Sequence, residues 1–356
     1  MDPLKVIPYE TGDLPLLSTY FKTHLSEGSQ HGSVSLFQWR TSGHYLEPGI
    51  INLVKDEGQI VATLSNTPKK LLVNGEACLV AEIGDANTDP KYQRRGLLIR
   101  LIKQSVDDAV GRGITGVYST PSTVTPSLPA FVKKANFLPQ RDLQIRNRVF
   151  PLDVGPRIGK LTHQLIGRFA GALYLTCVQA WFLVRSALGR FSPDCTIEDC
   201  DALPEGWDRF WEQSRQGYEA IFDRSRESLD WRFFQNPNRY KFLVARRGGA
   251  IAGYLVYRAV ADECAKRCVI ADYLSAPGFE WTFGRLLQRA FGDALRIGAN
   301  SISCWSIPGS PYDRRLRNFG FFPRGEIVLV WFQNAFAARL AKLRRWHFTC
   351  GDSDNV

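Results

Sequence analysis

The sequence predicts an α/β fold with mixed (α+β) sheets, laid out twice along the chain. Three observations predict it: paired apolar runs around glycine turns, a long amphipathic helix after each pair, and an aromatic closing signature that recurs about 185 residues later. A chain of 356 residues suits two domains of ordinary size. Hydrophobic residues at 44% and charged residues at 22% are enough for a real core and argue against extended disorder.

In the first half, Phe37-Gln38-Trp39-Arg40 is followed by Pro48, an apolar run at 50–54, a turn at Gly58 and a second run from Ile60. In the second half, Leu229-Asp230-Trp231-Arg232 is followed by Pro237, a run at 242–244, a Gly248-Gly249 turn and a second run from Ile251. Runs that flank a glycine turn read as hairpins. Helical patterns follow at 96–112 and 283–297, then short strands at 114–119 and 301–305. Asn136-Phe137-Leu138-Pro139 closes the first copy and Gly320-Phe321-Phe322-Pro323 the second. The expected boundaries are a first domain at 1–150, a connector at 151–191, a second domain at 192–334, and a basic carboxy-terminal helix and tail at 335–356, the helix over 336–348.

The formal charge of +10 is unevenly spread. Residues 1–150 hold 17 Lys/Arg against 14 Asp/Glu, and residues 192–356 hold 23 against 20. The 41 residues between them hold 5 against 1. A nucleic-acid binder concentrates its cations on a folded face, so nucleic acid is not expected as a partner. The basic stretch 158–190 reads as one helix with Leu161, Leu165, Phe169, Leu173, Cys177, Trp181, Val184 and Leu188 along one face. Sixteen uncharged residues separate Arg168 from Arg185, roughly 24 Å of helix and shorter than the ~30 Å hydrocarbon core. Two readings stay open: a connector whose apolar stripe packs on both domains, or an in-plane helix on an anionic membrane surface that inserts Trp181 and Phe182.

Eight cysteines without a C-x-x-C pair, and five scattered histidines, give neither a disulfide framework nor a zinc site. No metal is expected. The amino terminus lacks the pattern of a secretory signal, which points to the cytosol, peripheral on the inner membrane face if the basic helix docks there.

The segment richest in chemistry runs Ala81-Glu82-Ile83-Gly84-Asp85-Ala86-Asn87-Thr88-Asp89-Pro90-Lys91-Tyr92-Gln93-Arg94-Arg95-Gly96-Leu97-Leu98-Ile99. A strand ends near Thr88, Pro90 stops it, and a basic turn opens through Gly96 into a helix. The first amides of a helix lack intrahelical partners and sit at the positive end of its dipole. A strand-to-helix turn containing glycine therefore suits a pyrophosphate.

Gln93-Arg94-Arg95-Gly96-Leu97-Leu98 resembles the Q/R-x-x-G-x-G/A signature of the GNAT superfamily of acyl-CoA N-acyltransferases. The resemblance implies a GNAT-like fold in each half. It implies acetyl-CoA or another acyl-CoA as co-substrate, its diphosphate on the backbone at Thr88, Gln93, Arg94, Arg95, Gly96, Leu97, Leu98 and Ile99. Leu98 departs from the pattern, which has Gly or Ala there. Downstream, Tyr118-Ser119-Thr120-Pro121-Ser122 and the stretch from Pro126 through Ser127-Leu128-Pro129-Ala130-Phe131 to Phe137 are similar to large two-domain members from bacterial polysaccharide and cell-envelope biosynthesis.

Acyl transfer to an amine needs a group to accept the amine proton. Asp85 and Glu82 are the candidates, with Asp85 matching the acidic position of the family. Three residues apart, they fall on opposite strand faces unless a bulge intervenes. Phe131 stands where the family carries a tyrosine that protonates the departing thiolate, which leaves Tyr118 and Ser127 as substitutes. The second copy has no arginine in its loop, and Glu280 would repel a diphosphate, so it reads as a non-binding copy that completes the acceptor cleft or dimerises. Asp223, Arg224, Arg226, Glu227, Trp231 and Arg232 are the residues expected to face an acceptor from that side, although the recurring Trp-Arg pair also suits an architectural role. The acceptor is expected to be a small amine, such as an amino sugar of an envelope glycan. Two rivals remain: a catalytically silent acyl-CoA-binding scaffold, and an aminoacyl transferase of the peptidoglycan-bridge type.

Overall fold

The computed structural model describes residues 4–24, 34–41, 43–125, 127–189, 195–261 and 265–353. Pro126, Arg190 at the end of the expected connector and the last three residues of the tail lie outside that set. The first half contains β1 (Val6–Pro8), α1 (Leu14–His24), α2 (Val34–Thr41), β2 (Ile50–Asp56), β3 (Gln59–Val73) and β4 (Glu76–Thr88). It continues through α3 (Leu97–Gly111), β5 (Gly116–Ser119), α4 (Ser127–Lys134), β6 (Phe137–Pro139) and β7 (Ile145–Pro151). Helices α5 (Gly155–Leu161) and α6 (Gln164–Gly189) connect to β8 (Thr196–Cys200), α7 (Trp207–Arg215), β9 (Ala220–Phe222) and α8 (Arg226–Leu229). Then come β10 (Lys241–Arg247), β11 (Ala250–Ala261), β12 (Lys266–Ser275), α9 (Thr282–Arg296), β13 (Ser301–Ser306) and α10 (Pro311–Asn318). The chain closes with β14 (Phe322–Ile327), β15 (Val330–Phe332), α11 (Ala335–Leu340) and β16 (Trp346–His347).

One sheet runs β1-β2-β3-β4-β5-β15-β6, with β9 against the far end of β3 and β16 against β9. The other runs β14-β7-β13-β12-β11-β10-β8. Each contains a strand from the opposite half. β7 lies between β13 and β14, where Val149 pairs with Ser303 on one side and Phe322 on the other. β15 lies between β5 and β6, where Trp331 pairs with Tyr118 and Leu138. The exchange is reciprocal.

Strand alternation explains the packing. Ala81 and Val117 turn one way and meet Leu97, Leu101, Ile102 and Val106 of α3. Their neighbours Val80 and Tyr118 turn the other way, into a core shared with Trp305, Ile145, Trp331 and Phe348. On the far side α9 sets Phe283, Leu286, Leu287 and Ala290 against Leu243, Leu255, Ile270 and Ile302. The two sheets thus meet through one apolar layer, and each carries a helix on its outer face.

The connector differs from expectation. Its helix breaks at Thr162-His163, and α5 folds back along α6. Glycines make this possible: a Cβ on Gly167 would fall 2.5 Å from the Gly159 Cα, and one on Gly171 2.8 Å from the Gly155 Cα. Both sides of the break keep the helical period, so the pattern ran through it. Trp181 and Phe182, expected at a membrane, pack inward on Phe150, Phe291 and Phe319. Leu161, Leu165, Phe169 and Leu173, the expected packing stripe, are exposed instead. The expected helix over 336–348 stops at Leu340. Trp346 and His347 pair as a strand with β9, because Trp346 and Phe348 are drawn into the shared core.

Candidate active site

β4 and β5 run parallel and pair only from Val80–Gly116 to Glu82–Tyr118. Beyond that point they separate. The gap holds a cavity of about 380 Å³ bordered by Glu82, Asp85, Ser119, Thr120, Ser127 and Phe131, and closed by Asn147 of β7 and by Trp305 and Ile327 of the second half.

A bulge in β4 brings the two candidate carboxylates to the same cavity. Thr63 pairs with Asn87 and Ser65 with Gly84, so Leu64 alone faces Asp85 and Ala86. Asp85 takes the left-handed conformation, φ +46°, which aspartate tolerates better than most residues. Its Oδ2 accepts from the Ser65 hydroxyl at 3.0 Å and from the guanidinium of Arg40, a buried residue of α2. A guanidinium stays charged at any working pH, so Asp85 sits against a permanent cation.

Glu82 is 1% exposed. Its Oε2 accepts from the Lys69 ammonium and its Oε1 from the Thr120 hydroxyl at 2.8 Å. Thr120 Oγ1 in turn lies 2.7 Å from Ser353 Oγ. Thr120 borders the cavity, so a hydroxyl links the open space to a buried carboxylate.

The two substitutes for the missing tyrosine differ. Ser127 opens α4, borders the cavity and donates to Thr125 Oγ1 at 3.1 Å. Tyr118 does not border it, a correction to the expected role. Strand alternation turns its ring toward Phe222 and Trp331, and its hydroxyl donates to the Asp352 carbonyl at 2.7 Å. Phe131 borders the cavity and packs edge-on against Phe137.

The basic turn is braced by its own side chains. The Asp89 carboxylate accepts from the Lys91 amide at 2.8 Å, and Gln93 Nε2 donates to the Thr88 carbonyl at 3.3 Å. Tyr92 donates to Asp56 at 2.6 Å, a bond that pushes the phenol above its ordinary pKa. Arg95 stacks over the Tyr92 ring and donates to the Lys91 carbonyl. Arg94 and Gly96 both take positive φ, +63° and +77°. The Arg100 amide closes the first helical bond onto the Gly96 carbonyl, so the amides of Leu97, Leu98 and Ile99 precede the ladder. Among the described residues, and apart from Gly96 and its two chain neighbours, no atom lies within 4 Å of where a Gly96 Cβ would stand. The turn therefore offers free amides and open space together, which fits a diphosphate. Leu97 is buried, and Leu98 and Ile99 lean on the α3 core.

The corresponding segment of the second half is arranged otherwise. The Gly278 amide donates to Glu280 Oε1, Phe279 and Trp281 flank the Arg247 guanidinium, and the Ser275 amide donates to the Tyr312 hydroxyl at 3.0 Å. Arg224, expected to face an acceptor, is fully buried between Asp272 and Asp352. The Asp223 carboxylate accepts from the Ser225 amide and hydroxyl, and Arg226 donates to the Leu203 and Pro204 carbonyls. The repeated Trp-Arg pair is architectural. Trp39 and Trp231 stack at 4.1 Å, while Arg40 holds Asp85 and Arg232 holds Asp352. Arg40, Thr120 and the segment 349–353 are the functional neighbours that sequence reasoning missed. Among the described residues, no group of three or more His, Cys, Asp or Glu is placed to hold a metal.

The parallel strand pair thus opens onto a carboxylate-bordered cavity with a free helix amino terminus beside it. Residues 19–132 match the acetyltransferase (GNAT) domain model. The chain has a GNAT-like fold. Solved structures agree on this fold over most of the chain. N-myristoyltransferase of Saccharomyces cerevisiae with bound myristoyl-CoA is 12% identical with a TM-score of 0.64, over 93% of this chain and 83% of that one. A GCN5-related N-acetyltransferase from Anabaena variabilis is 12% identical with a TM-score of 0.56, over 94% and 74%. A probable N-acyltransferase from Enterococcus faecalis is 10% identical with a TM-score of 0.54, over 92% and 72%. No curated protein matches the chain by sequence.

Proposed function

We propose that the protein transfers an acyl group from acyl-CoA, acetyl-CoA or a close relative, to an amine. The observation that carries this reading is the end of β4–β5 pairing at Glu82 and Tyr118, which leaves a carboxylate-bordered cavity beside free helix amides. The N-myristoyltransferase structure with bound myristoyl-CoA supports an acyl-CoA donor in a fold of this kind. The diphosphate rests on the amides from Arg94 to Ile99, since that of Gln93 donates to the Pro90 carbonyl, and the thioester lies in the splay. The amine nitrogen attacks the thioester carbonyl, the C–N bond forms and the C–S bond breaks. The proton leaves through the Thr120 hydroxyl to Glu82, because Arg40 and Ser65 already occupy Oδ2 of Asp85. A thiolate of pKa near 8.5 leaves without an obligatory acid, which tolerates Phe131.

The acceptor side of the cavity offers the Trp305 indole and the Asn147 amide, a pairing suited to an amino sugar. The matching strand orders support two copies of one unit, the second without a donor site. An acyl-CoA donor and free thiols at Cys78, Cys268, Cys304 and Cys350 suit the cytosol. Phe131 favours a second reading, a silent acyl-CoA binder.

The test combines calorimetry with CoA and thiol release from acetyl-CoA in the presence of amino-sugar nucleotides. CoA should bind, and Gly96→Asp, which sets a carboxylate among the amides, should weaken binding at least about tenfold. No heat at millimolar CoA on folded protein sinks the reading. Binding without turnover on any acceptor favours the silent binder.

A further inference from the structure

The outward face of the α5–α6 hairpin carries a concentration of bare apolar side chains. Of eleven large hydrophobic side chains exposed among the described residues, seven fall within 161–184. Leu165, Phe169 and Leu173 recur every four residues as one stripe of α6, with Phe169 76% exposed, and Leu161, 80% exposed, stands at the end of α5. The opposite face is occupied by the glycine contacts with α5 and by Tyr174, Val178, Trp181 and Phe182 against the α9 core. A helix apolar on both faces requires an apolar neighbour on its outer side.

The charge around the stripe says what that neighbour is. From 154 to 189 the chain carries Arg157, Lys160, Arg168 and Arg185 and no Asp or Glu. At the foot of the hairpin opens a groove of about 910 Å³ bordered by Arg157, Arg267 and Arg324, all exposed. Asp153, the carboxylate on that groove, is engaged: Oδ1 accepts from the Gly155 amide and Oδ2 from Asn300 Nδ2.

We propose that this hairpin docks the protein on an anionic bilayer, lying in the plane of the surface. The Leu165-Phe169-Leu173 stripe enters the acyl boundary, and the surrounding cations meet lipid phosphates. A second copy of the chain is a poorer occupant. A two-fold contact would set Lys160 and Arg168 against their own images, with no acid on that surface to compensate. A spanning arrangement also fails. Gln164–Arg185 is long and apolar enough to cross a membrane, but Trp181 and Phe182 fix one side of it to the folded body. Asn147 borders both this groove and the catalytic cavity, so docking would present the acceptor at the lipid surface. That consequence rests on the acyl-transfer reading; the docking itself does not.

Vesicle sedimentation of the full chain, without any CoA, tests the docking apart from the reaction. Binding is expected to phosphatidylcholine vesicles containing about one-fifth phosphatidylglycerol and to weaken with salt. Phe169→Glu with Leu173→Glu should reduce it at least about tenfold, with near-ultraviolet dichroism unchanged. Arg157→Glu with Arg324→Glu should remove the preference for phosphatidylglycerol. The proposal is overturned if folded wild-type protein stays in solution with both vesicle types, or binds both equally. It is also overturned if wild-type protein is a dimer that the paired glutamates dissociate.

Discussion

Arg40 and Thr120 divide the work of the two carboxylates, and substitutions should separate them. Asp85→Asn removes the anion that faces a buried guanidinium, at a cost of about 3 kcal/mol, so denaturant midpoints should fall clearly. Thr120→Val removes the hydroxyl between the cavity and Glu82. Its expected signature is a loss in kcat of roughly 10²-fold with CoA affinity unchanged, read by thiol release and calorimetry. A Thr120 variant with full turnover would return the base role to Asp85. At this scale the strand, the turn and both acids were legible, since strand and helix signals bracket them within twenty residues of sequence. Arg40 and Ser353 were not. Lys69 donates to the Asp352 carbonyl across 283 residues, and no local period encodes a contact of that range.

Among the elements, the α5–α6 hairpin is the most sensitive to a single methyl group. Gly167→Ala would drive a Cβ into the Gly159 backbone, and overpacking of this kind costs about 1–3 kcal/mol. The cost should stay local. Hydrogen exchange should speed at the amides of α5 while those of α9 keep their protection, because Leu243, Leu255, Ile270 and Ile302 of its own sheet hold α9. The sequence pattern over 158–190 reads as one helix and hid the break at Thr162, since the apolar period holds on both sides. No sequence signal marked β7 or β15, each of which sits in the other half's sheet. Apolar patterning specifies which face of a strand is buried, and is silent about its neighbour.

For the whole molecule, pH exposes what the shared core contains. His347 is wholly buried, and that burial lowers its imidazole from 6.5 to about 4. The unfolded chain then binds a proton that the folded one refuses, so stability is complete above pH 6.5 and is lost as pH falls toward 4. The loss amounts to about 3 kcal/mol. Asp352 adds to the decline at still lower pH: burial raises its carboxyl, yet Arg224 and Arg232 hold it below the ordinary value. Denaturant titrations between pH 7 and 4 should trace this slope, and His347→Gln should flatten its upper part. The mixed α/β fold was legible from its strand and helix signals, whereas the burial of residues 346–353 was not, because the basic stretch 336–348 reads as one helix.

The traded strands have a consequence for synthesis. After Pro139 leaves the ribosome, the slot between β5 and β6 stays empty until Val330 to Phe332 arrive, roughly 190 residues later. At about 5–20 residues per second the nascent protein waits some tens of seconds with two open edges. Its early portion should therefore lean on ribosome-associated chaperones, and a truncated transcript should yield an aggregate where a domain might have been hoped for.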